Sequence, residues 1–128
     1  MLLLWGSILL AQSSEPREFE VTEGDSAYTM KRYIFCLYLT GPNRNQSEDE
    51  TARIQREHLS HLSSLESTHE LQVAGPFGDD TEKRGILIFD LEQSEQAEEA
   101  MALDPAVKAG RLTYECHPWW AAKGSTLK

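Results

Sequence analysis

Basic residues are scarce in this chain. Twelve lysines and arginines stand against 21 acidic residues, which gives a formal net charge of −9 at pH 7. A protein that binds nucleic acid needs a basic surface to displace the counterions of the phosphate backbone, so this balance argues against that class. It also disfavours attachment to an anionic membrane surface. We therefore expect neither nucleic acid nor membrane as a partner of the mature protein.

Motifs for phosphate binding, covalent catalysis and metal binding are also missing. The sequence has no glycine-rich nucleotide or phosphate loop and no Gly-x-Ser-x-Gly nucleophile elbow. His58, His61 and His69 are three and eight residues apart, without the i, i+4 spacing or the supporting Cys or Glu pattern typical of zinc ligands. We therefore predict no metal and no cofactor, so that any chemistry is done by the chain's own side chains.

Cysteine is limited to Cys36 and Cys116. Both fall inside predicted strands, so neither has the setting of a catalytic thiol. Their spacing does not show that they meet. We expect two buried free thiols, although export would make a disulfide permissible.

Charged side chains are absent from the first fourteen residues. Residues 1–11 form an apolar run that ends at Ala11. The run is too short to span a bilayer as a helix and is typical of a secretory signal peptide that is cleaved after Ala11, although no Lys or Arg precedes it. We predict export to the periplasm or the medium. If translation starts at Met30 instead, the product is cytoplasmic.

The chain of 128 residues is long enough for one domain with a real core. Residues 12–29 are polar and acidic and are predicted to be a linker, with at most a short strand at 19–21. The domain is predicted to span residues 30–120, and residues 121–128 to form a C-terminal tail.

Apolar periodicity and turn residues predict four strands and two helices. The strands cover residues 28–39, 71–74, 85–91 and 112–117, and the helices cover residues 51–67 and 94–103. Asp104 and Pro105 open a further turn, with Asp as the cap and Pro at the first helical position. The β-α-β-β-α-β order predicts an α+β, ferredoxin-like fold, in which two helices cover one face of a four-stranded antiparallel sheet.

The first predicted strand is apolar on both sides. Its alternating residues are Tyr33, Phe35, Leu37 and Leu39 on one side and Ile34, Cys36 and Tyr38 on the other. A strand of this kind is covered on both faces of its sheet. Since both helices lie on one face, we expect a second copy of the chain to cover the other, in a sheet-to-sheet homodimer.

His58 lies on the apolar stripe of the first predicted helix, together with Ile54, Leu62 and Leu65. It is either a buried histidine with satisfied hydrogen bonds or an acid–base group. A general base needs a carboxylate on one ring nitrogen to hold its tautomer. Asp104, after the second helix on the same sheet face, is the best candidate; its alternative role is only to cap the Pro105 turn.

Sequence pieces between residues 30 and 120 resemble the YCII-related (DGPF-type) domain family. In order, they are GPNR at 41–44, HLSHL at 58–62, LQVAGPF at 71–77, GILI at 85–88, DPAVKAGRL at 104–112 and HPWW at 117–120. The resemblance implies a dimeric α/β-barrel fold and an active-site His–Asp pair, which falls on His58 and Asp104. It names no substrate. The chain departs from the family at His69, where members usually have a glycine in the left-handed conformation that ends the helix.

Four further residues are candidates for lining a pocket. Phe77 would form its floor after the second strand, and Arg84 would bind a substrate carboxylate. His117 shares a strand face with the polar residues at 113 and 115, a pattern that indicates a pocket wall. Trp119 is expected at the pocket mouth or at the dimer contact. The structural alternatives are core packing for Phe77 and a surface ion pair for Arg84.

Together these features predict a cofactor-independent lyase- or isomerase-type enzyme for a small-molecule ligand. His58 would move a proton on a small organic acid or lactone, and Asp104 would orient it. Acid–base catalysis alone contributes about 10²–10⁴-fold, so an activated substrate is implied. Two alternatives are a non-catalytic module that binds or senses a small molecule in the same pocket, and a structural dimer domain in which His58 belongs to the core.

Overall fold

The computed structural model describes residues 15–128, and the predicted signal peptide with its cleavage after Ala11 lies outside them. Within these residues the elements are β1 (Glu18–Glu23), β2 (Ser26–Thr40), α1 (Glu48–Ser67), β3 (Leu71–Pro76), β4 (Lys83–Phe89), α2 (Ser94–Ala102), α3 (Pro105–Lys108) and β5 (Leu112–Ala122). Among the helices of this part of the chain, none is long and apolar enough to cross a bilayer.

The described strands form an antiparallel five-stranded sheet with β2 at its centre. β2 pairs with β5 along one edge and with β1 and β4 along the other, and β3 pairs with β4. From β2 to β5 the elements follow the predicted β-α-β-β-α-β order, with the short α3 added before β5. This order fits the ferredoxin-like arrangement that the sequence predicts.

β1 extends the short strand predicted at 19–21 and leaves less of residues 12–29 as a linker than the sequence predicts. The strand lies in the predicted linker, where it pairs with residues 26–31 of β2 in a hairpin. Gly24 opens the two-residue turn with a φ of 60°, the conformation that a Gly–X hairpin turn needs. The hairpin is largely exposed and mostly polar, so its apolar alternation is limited to Phe19 and Val21, where the sequence allows a short strand.

The core lies between the sheet and the helices. The helix-facing side of β2 carries the predicted alternation of Ile34, Cys36 and Tyr38, all buried. The other buried members of this cluster come from β3, β4 and α2 and are Leu71, Leu87, Phe89, Ala97 and Met101. On the opposite side of β2 the side chains are half-buried. The sheet therefore has one face covered by helices and one apolar face that no part of residues 15–128 covers.

Cys36 and Cys116 form a disulfide, so the expectation of two free thiols is wrong. They lie directly opposite each other on β2 and β5, with their Cα atoms 4.1 Å apart. The strand register makes neighbours of two residues separated by 80 positions, and sequence spacing does not reveal register. By closing a long loop in the unfolded chain, such a bond typically stabilises a domain by about 2–4 kcal/mol.

Several element ends differ from the prediction for local reasons. α1 begins earlier because Ser47 caps it, its side chain accepting from the Glu50 N–H. After α1, His69 takes a φ of 63°, the left-handed conformation expected where family members have glycine. β5 continues past Pro118 into the predicted tail. It is an edge strand, where a proline need not donate to a neighbouring strand.

Candidate active site

α1 and the turn before α3 bring His58 and Asp104 into hydrogen-bond contact. The Nδ1 atom of His58 lies 2.6 Å from Oδ2 of Asp104. Tyr38 of β2 donates its hydroxyl to the same oxygen at 2.5 Å. The backbone N–H of Ala106 donates to Oδ1 at 2.8 Å. Capping and orienting are therefore not alternatives for Asp104, because one oxygen caps α3 while the other holds the imidazole and the phenol.

Burial and hydrogen bonding act on Asp104 in opposite directions. The side chain is 0% exposed, and this burial raises the pKa of its carboxyl. The hydrogen bonds from His58, Tyr38 and the Ala106 N–H outweigh burial and leave the pKa below its ordinary value. Burial, together with the neighbouring carboxylate, raises the pKa of Tyr38. At neutral pH the group therefore consists of an ionised aspartate and a protonated tyrosine.

An ionised Asp104 decides which nitrogen of His58 carries the proton. A carboxylate only accepts, so Nδ1 is the donor in the neutral ring and Nε2 keeps its lone pair. Among residues 15–128 the hydrogen bond of the ring is the one to Asp104, and the side chain is 12% exposed. A carboxylate that orients the ring in this way leaves Nε2 free to accept a proton, which is what general-base chemistry requires.

His58 lies in the wall of a pocket of about 510 Å³, a size in the range of small-molecule sites. Its apolar lining residues include Ile54, Leu59, Leu62, Ala74, Leu87 and Leu112. The polar and charged ones are Gln55, Ser63, Glu66, Arg44, Arg84 and Arg111. His58 thus borders an open hollow, unlike a histidine enclosed on all sides by core side chains.

Arg84 reaches this pocket through an irregularity in β4. Tyr38 and Leu39 of β2 pair with Gly85 and Lys83, so that Arg84 has no residue opposite it. Such a bulge re-aims a side chain that strict alternation would send to the other face. Arg44 and Arg111 line the same pocket, although the sequence did not single them out. Both belong to pieces that resemble the family, at 41–44 and 104–112. Their place in these pieces was the sequence feature that could have indicated a role in the site.

His117 and Trp119 lie on the other face of the sheet, which corrects the expectation that His117 lines the pocket. Cys116 faces the core, so its neighbours in the strand face away from the helices. The Nε2 atom of His117 lies 3.7 Å from an oxygen of Glu115. The ring centroid of Trp119 lies 5.7 Å from that of Phe35. Strand alternation thus separates both residues from His58.

Phe77 and His61 also lie outside the wall around His58. Phe77 is 39% exposed and lines a second, separate depression beside Leu39, which corrects its predicted place as the pocket floor. His61 is hydrogen-bonded through Nε2 to the Ala100 carbonyl at 2.8 Å, so it joins α1 to α2.

Asp104 is expected to make stability depend on pH. Its folded pKa lies below the ordinary value of 3.8, so the folded state binds the proton less tightly than the unfolded state. The contribution is therefore fully present above 3.8 and is lost as the pH falls through the lower, folded value. We expect the stability difference between wild type and Asp104→Asn to be larger at about pH 5 than at about pH 2.5 in urea unfolding. An equal difference at both pH values would contradict this.

An antiparallel α+β domain in which a buried aspartate orients a pocket-facing histidine is the class that the fold and the site define. The sequence matches the YCII-related domain family over residues 35–119. The chain therefore belongs to this family, as the sequence pieces around His58 and Asp104 predict.

A solved structure with a similar fold is 5-chloro-2-hydroxyhydroquinone dehydrochlorinase (TftG) from Burkholderia phenoliruptrix AC1100, in complex with 2,5-dihydroxybenzoquinone. The two share 24% sequence identity with a TM-score of 0.50, over 67% of this chain and 92% of that one. At this identity the similarity concerns the fold. Among curated proteins, none matches the sequence.

Proposed function

We propose that this protein is a lyase- or isomerase-type enzyme that transfers protons on a small organic acid or lactone. The observation that carries the proposal is the open Nε2 of His58 at the pocket wall, on a ring whose Nδ1 lies 2.6 Å from a buried carboxylate. A histidine kept only for packing needs no accessible nitrogen. One that takes up and returns a proton needs both the free nitrogen and the orienting acid.

In the proposed reaction, Nε2 of His58 takes a proton from a C–H or O–H bond of the substrate. Asp104 then stabilises the imidazolium through the Nδ1–H hydrogen bond, without taking the proton itself. The imidazolium returns the proton to another atom in an isomerisation, or gives it to the leaving group in an elimination. Tyr38 keeps its proton throughout and holds the carboxylate in place.

The similar structure adds support for the type of reaction. TftG is named as a dehydrochlorinase and was solved with a dihydroxybenzoquinone. A dehydrochlorination removes a proton and chloride, a step that a single oriented base can begin. The chlorinated hydroquinone is the substrate of that protein. For this chain we carry over only the proposal of base-initiated chemistry on a compact molecule whose C–H bond is activated by neighbouring oxygens.

Proton exchange tests this function without a known product. The protein is incubated in deuterated buffer with a panel of activated molecules: 2,5-dihydroxybenzoquinone, short keto acids and unsaturated lactones. We expect ¹H NMR to show faster loss of a C–H signal from at least one of them, and no acceleration with His58→Gln. Tight binding of panel members with no accelerated exchange would favour the alternative, a non-catalytic binding or sensing module.

We also propose that the chain forms a homodimer through the sheet face that its helices leave open. This outer face carries half-buried or exposed apolar side chains from three neighbouring strands: Tyr33, Phe35, Leu37, Ile86, Ile88 and Trp119. Single exposed apolar residues are ordinary, but a continuous patch marks an interface. A second copy with the same patch would cover it across a two-fold axis.

A charge in the middle of the outer face tests the dimer. We expect the wild type to sediment as a dimer and Phe35→Glu as a monomer, since the interface would have to bury two unpaired carboxylates. Leu103→Glu is the control, because Leu103 is 58% exposed on the helix layer and should leave the dimer intact. A wild type that sediments as a monomer at high micromolar concentration would exclude this arrangement.

Export is a further proposal, and the disulfide between Cys36 and Cys116 supports it, because disulfides form and persist in oxidising compartments. The full chain, expressed with a C-terminal tag, should be recovered outside the cytoplasm. Its intact mass should correspond to a start after Ala11 and to two oxidised cysteines. A cytoplasmic product with reduced cysteines would contradict the proposal.

A further inference from the structure

Three of the seven arginines of this acidic chain line the His58 pocket. Arg44 comes from the loop after β2, Arg84 from the bulge in β4 and Arg111 from the residue before β5. We refer to these three residues as the arginine cluster. Like charges brought to one pocket repel one another, and the repulsion is relieved when an anion binds among them.

The side chains and carbonyls that the three arginines contact directly compensate little of this charge, and Glu66 is the one further carboxylate among the described lining residues. Arg44 donates to the backbone carbonyl of Arg111 at 2.7 Å, and Arg111 donates to the side-chain oxygen of Gln46 at 2.9 Å. Both partners are neutral. Arg84 has Asp80 at 3.4 Å, but the Asp80 side chain is fully exposed, and surface pairs of this kind contribute little. Within residues 15–128, no ion pair joins Arg44 or Arg111 to a carboxylate.

The loop that carries Arg44 is held in place by its contacts with the segment before β5. A side chain at Gly41 would collide with the carbonyl of Gly110, so the glycine allows the two backbones to pack together. The side-chain amides of Asn43 and Gln46 both donate to the Ala109 carbonyl, at 3.2 and 3.1 Å. A site ordered before binding loses less conformational entropy when its ligand arrives.

The pKa of Arg44 shows that the other two arginines of the cluster lie close to it. Burial lowers the pKa of its guanidinium, and the charges of Arg111 and Arg84 lower it further. The charges of the three arginines therefore act on the same region of the pocket, and an anion bound there would raise the pKa of Arg44 again.

We infer that the arginine cluster is the subsite for a substrate carboxylate, and that the substrate is a small carboxylic acid rather than a neutral lactone. Guanidinium groups match the two oxygens of a carboxylate with paired N–H donors. The apolar wall formed by Ile54, Leu59 and Leu62 would contact the hydrocarbon part, with the reacting C–H bond at His58. This inference rests on the proposed proton transfer for its reaction, but the binding it predicts is independent of turnover.

Binding of simple probes to the full chain tests the subsite. Benzoate is the probe, benzamide its neutral counterpart of the same shape, and inorganic phosphate the competing anion, each titrated by calorimetry. We expect benzoate to bind at least about tenfold more tightly than benzamide. Arg84→Gln and Arg111→Gln should each weaken benzoate by about tenfold or more and leave benzamide unchanged. Arg56→Gln, an exposed arginine of α1 outside the pocket, is the matched control.

Two features of the design keep the outcomes separate. Among residues 15–128 the side-chain hydrogen bonds of Arg84 go to Asp80 and Thr81, not to the loop that carries Arg44, so Arg84→Gln tests the subsite even where Arg111→Gln fails to fold. Benzoate binding that survives in His58→Gln supports the subsite, and if no proton exchange is found in wild type either, only the proposed reaction fails. Equal affinity for benzoate and benzamide, tighter binding of phosphate than of benzoate, or unchanged benzoate affinity in a folded Arg84→Gln would overturn the inference.

Discussion

His58→Gln is expected to lower the rate of proton transfer by about 10²–10⁴-fold while the domain stays folded. A glutamine side chain fills much of the same space, and Asp104 keeps its hydrogen bonds from the Tyr38 hydroxyl and the Ala106 N–H. The glutamine has no basic nitrogen to take the place of Nε2, so the chemical step loses its base. The rate of deuterium uptake, or kcat/KM once a substrate is found, measures the loss.

The control for this variant is the other histidine that the sequence proposed for the site. His117→Gln changes the same side chain on the outer face of the sheet, away from the pocket. We expect it to keep the wild-type rate. A His58→Gln protein that reacts within a factor of a few of wild type would show that the imidazole is not the base, however well placed it is.

Asp104→Asn is expected to lower the free energy of unfolding by about 3–5 kcal/mol at neutral pH. Oδ2 accepts from both His58 and Tyr38, and each hydrogen bond to a buried charge is worth more than one between neutral groups. If the amide nitrogen of the new side chain takes the place of Oδ2, its N–H groups point at two other donors, His58 Nδ1–H and the Tyr38 hydroxyl. If the amide turned over instead, its nitrogen would face the Ala106 N–H and the cap of α3 would be lost. Urea unfolding at neutral pH measures the difference.

Two companion variants show where this stability comes from. Asp79→Asn removes an exposed carboxylate from the β3–β4 loop and should change stability by less than about 0.5 kcal/mol. Tyr38→Phe removes one of the two donors to Oδ2 and should cost about 1–2 kcal/mol. An Asp104→Asn protein as stable as wild type would mean that Oδ2 is not an ionised acceptor, and the orientation of His58 would need another explanation.

The two variants also separate the roles of the pair. A large loss of stability in Asp104→Asn with no effect of His58→Gln on proton exchange would make the pair a structural element of the core. Loss of exchange in His58→Gln at nearly unchanged stability would assign the catalytic role to Nε2 and the positioning role to Asp104.

Local patterns were enough to predict the order of elements from β2 to β5. Periods of two and 3.6 residues depend only on near neighbours in the chain, so the alternation of Ile34, Cys36 and Tyr38 and the apolar stripe around His58 are visible without a structure. The pairing of His58 with Asp104 came from that stripe, from the capping turn at Pro105 and from the family resemblance. Of the β1 hairpin only the short strand at 19–21 was predicted, because the mostly polar residues around Phe19 and Val21 carry little apolar alternation.

Contacts between distant residues depend on register and on bulges, which no local pattern contains. A shift of one residue between β2 and β5 would move every side chain of β5 to the opposite face. The observed register pairs Cys36 with Cys116 and sends His117 away from His58. The bulge at Arg84 and the close packing at Gly41 likewise bring three arginines to one pocket. Register is set by the sum of packing over the whole sheet, so only the tertiary structure shows that Arg44, Arg84 and Arg111 meet at the pocket of His58.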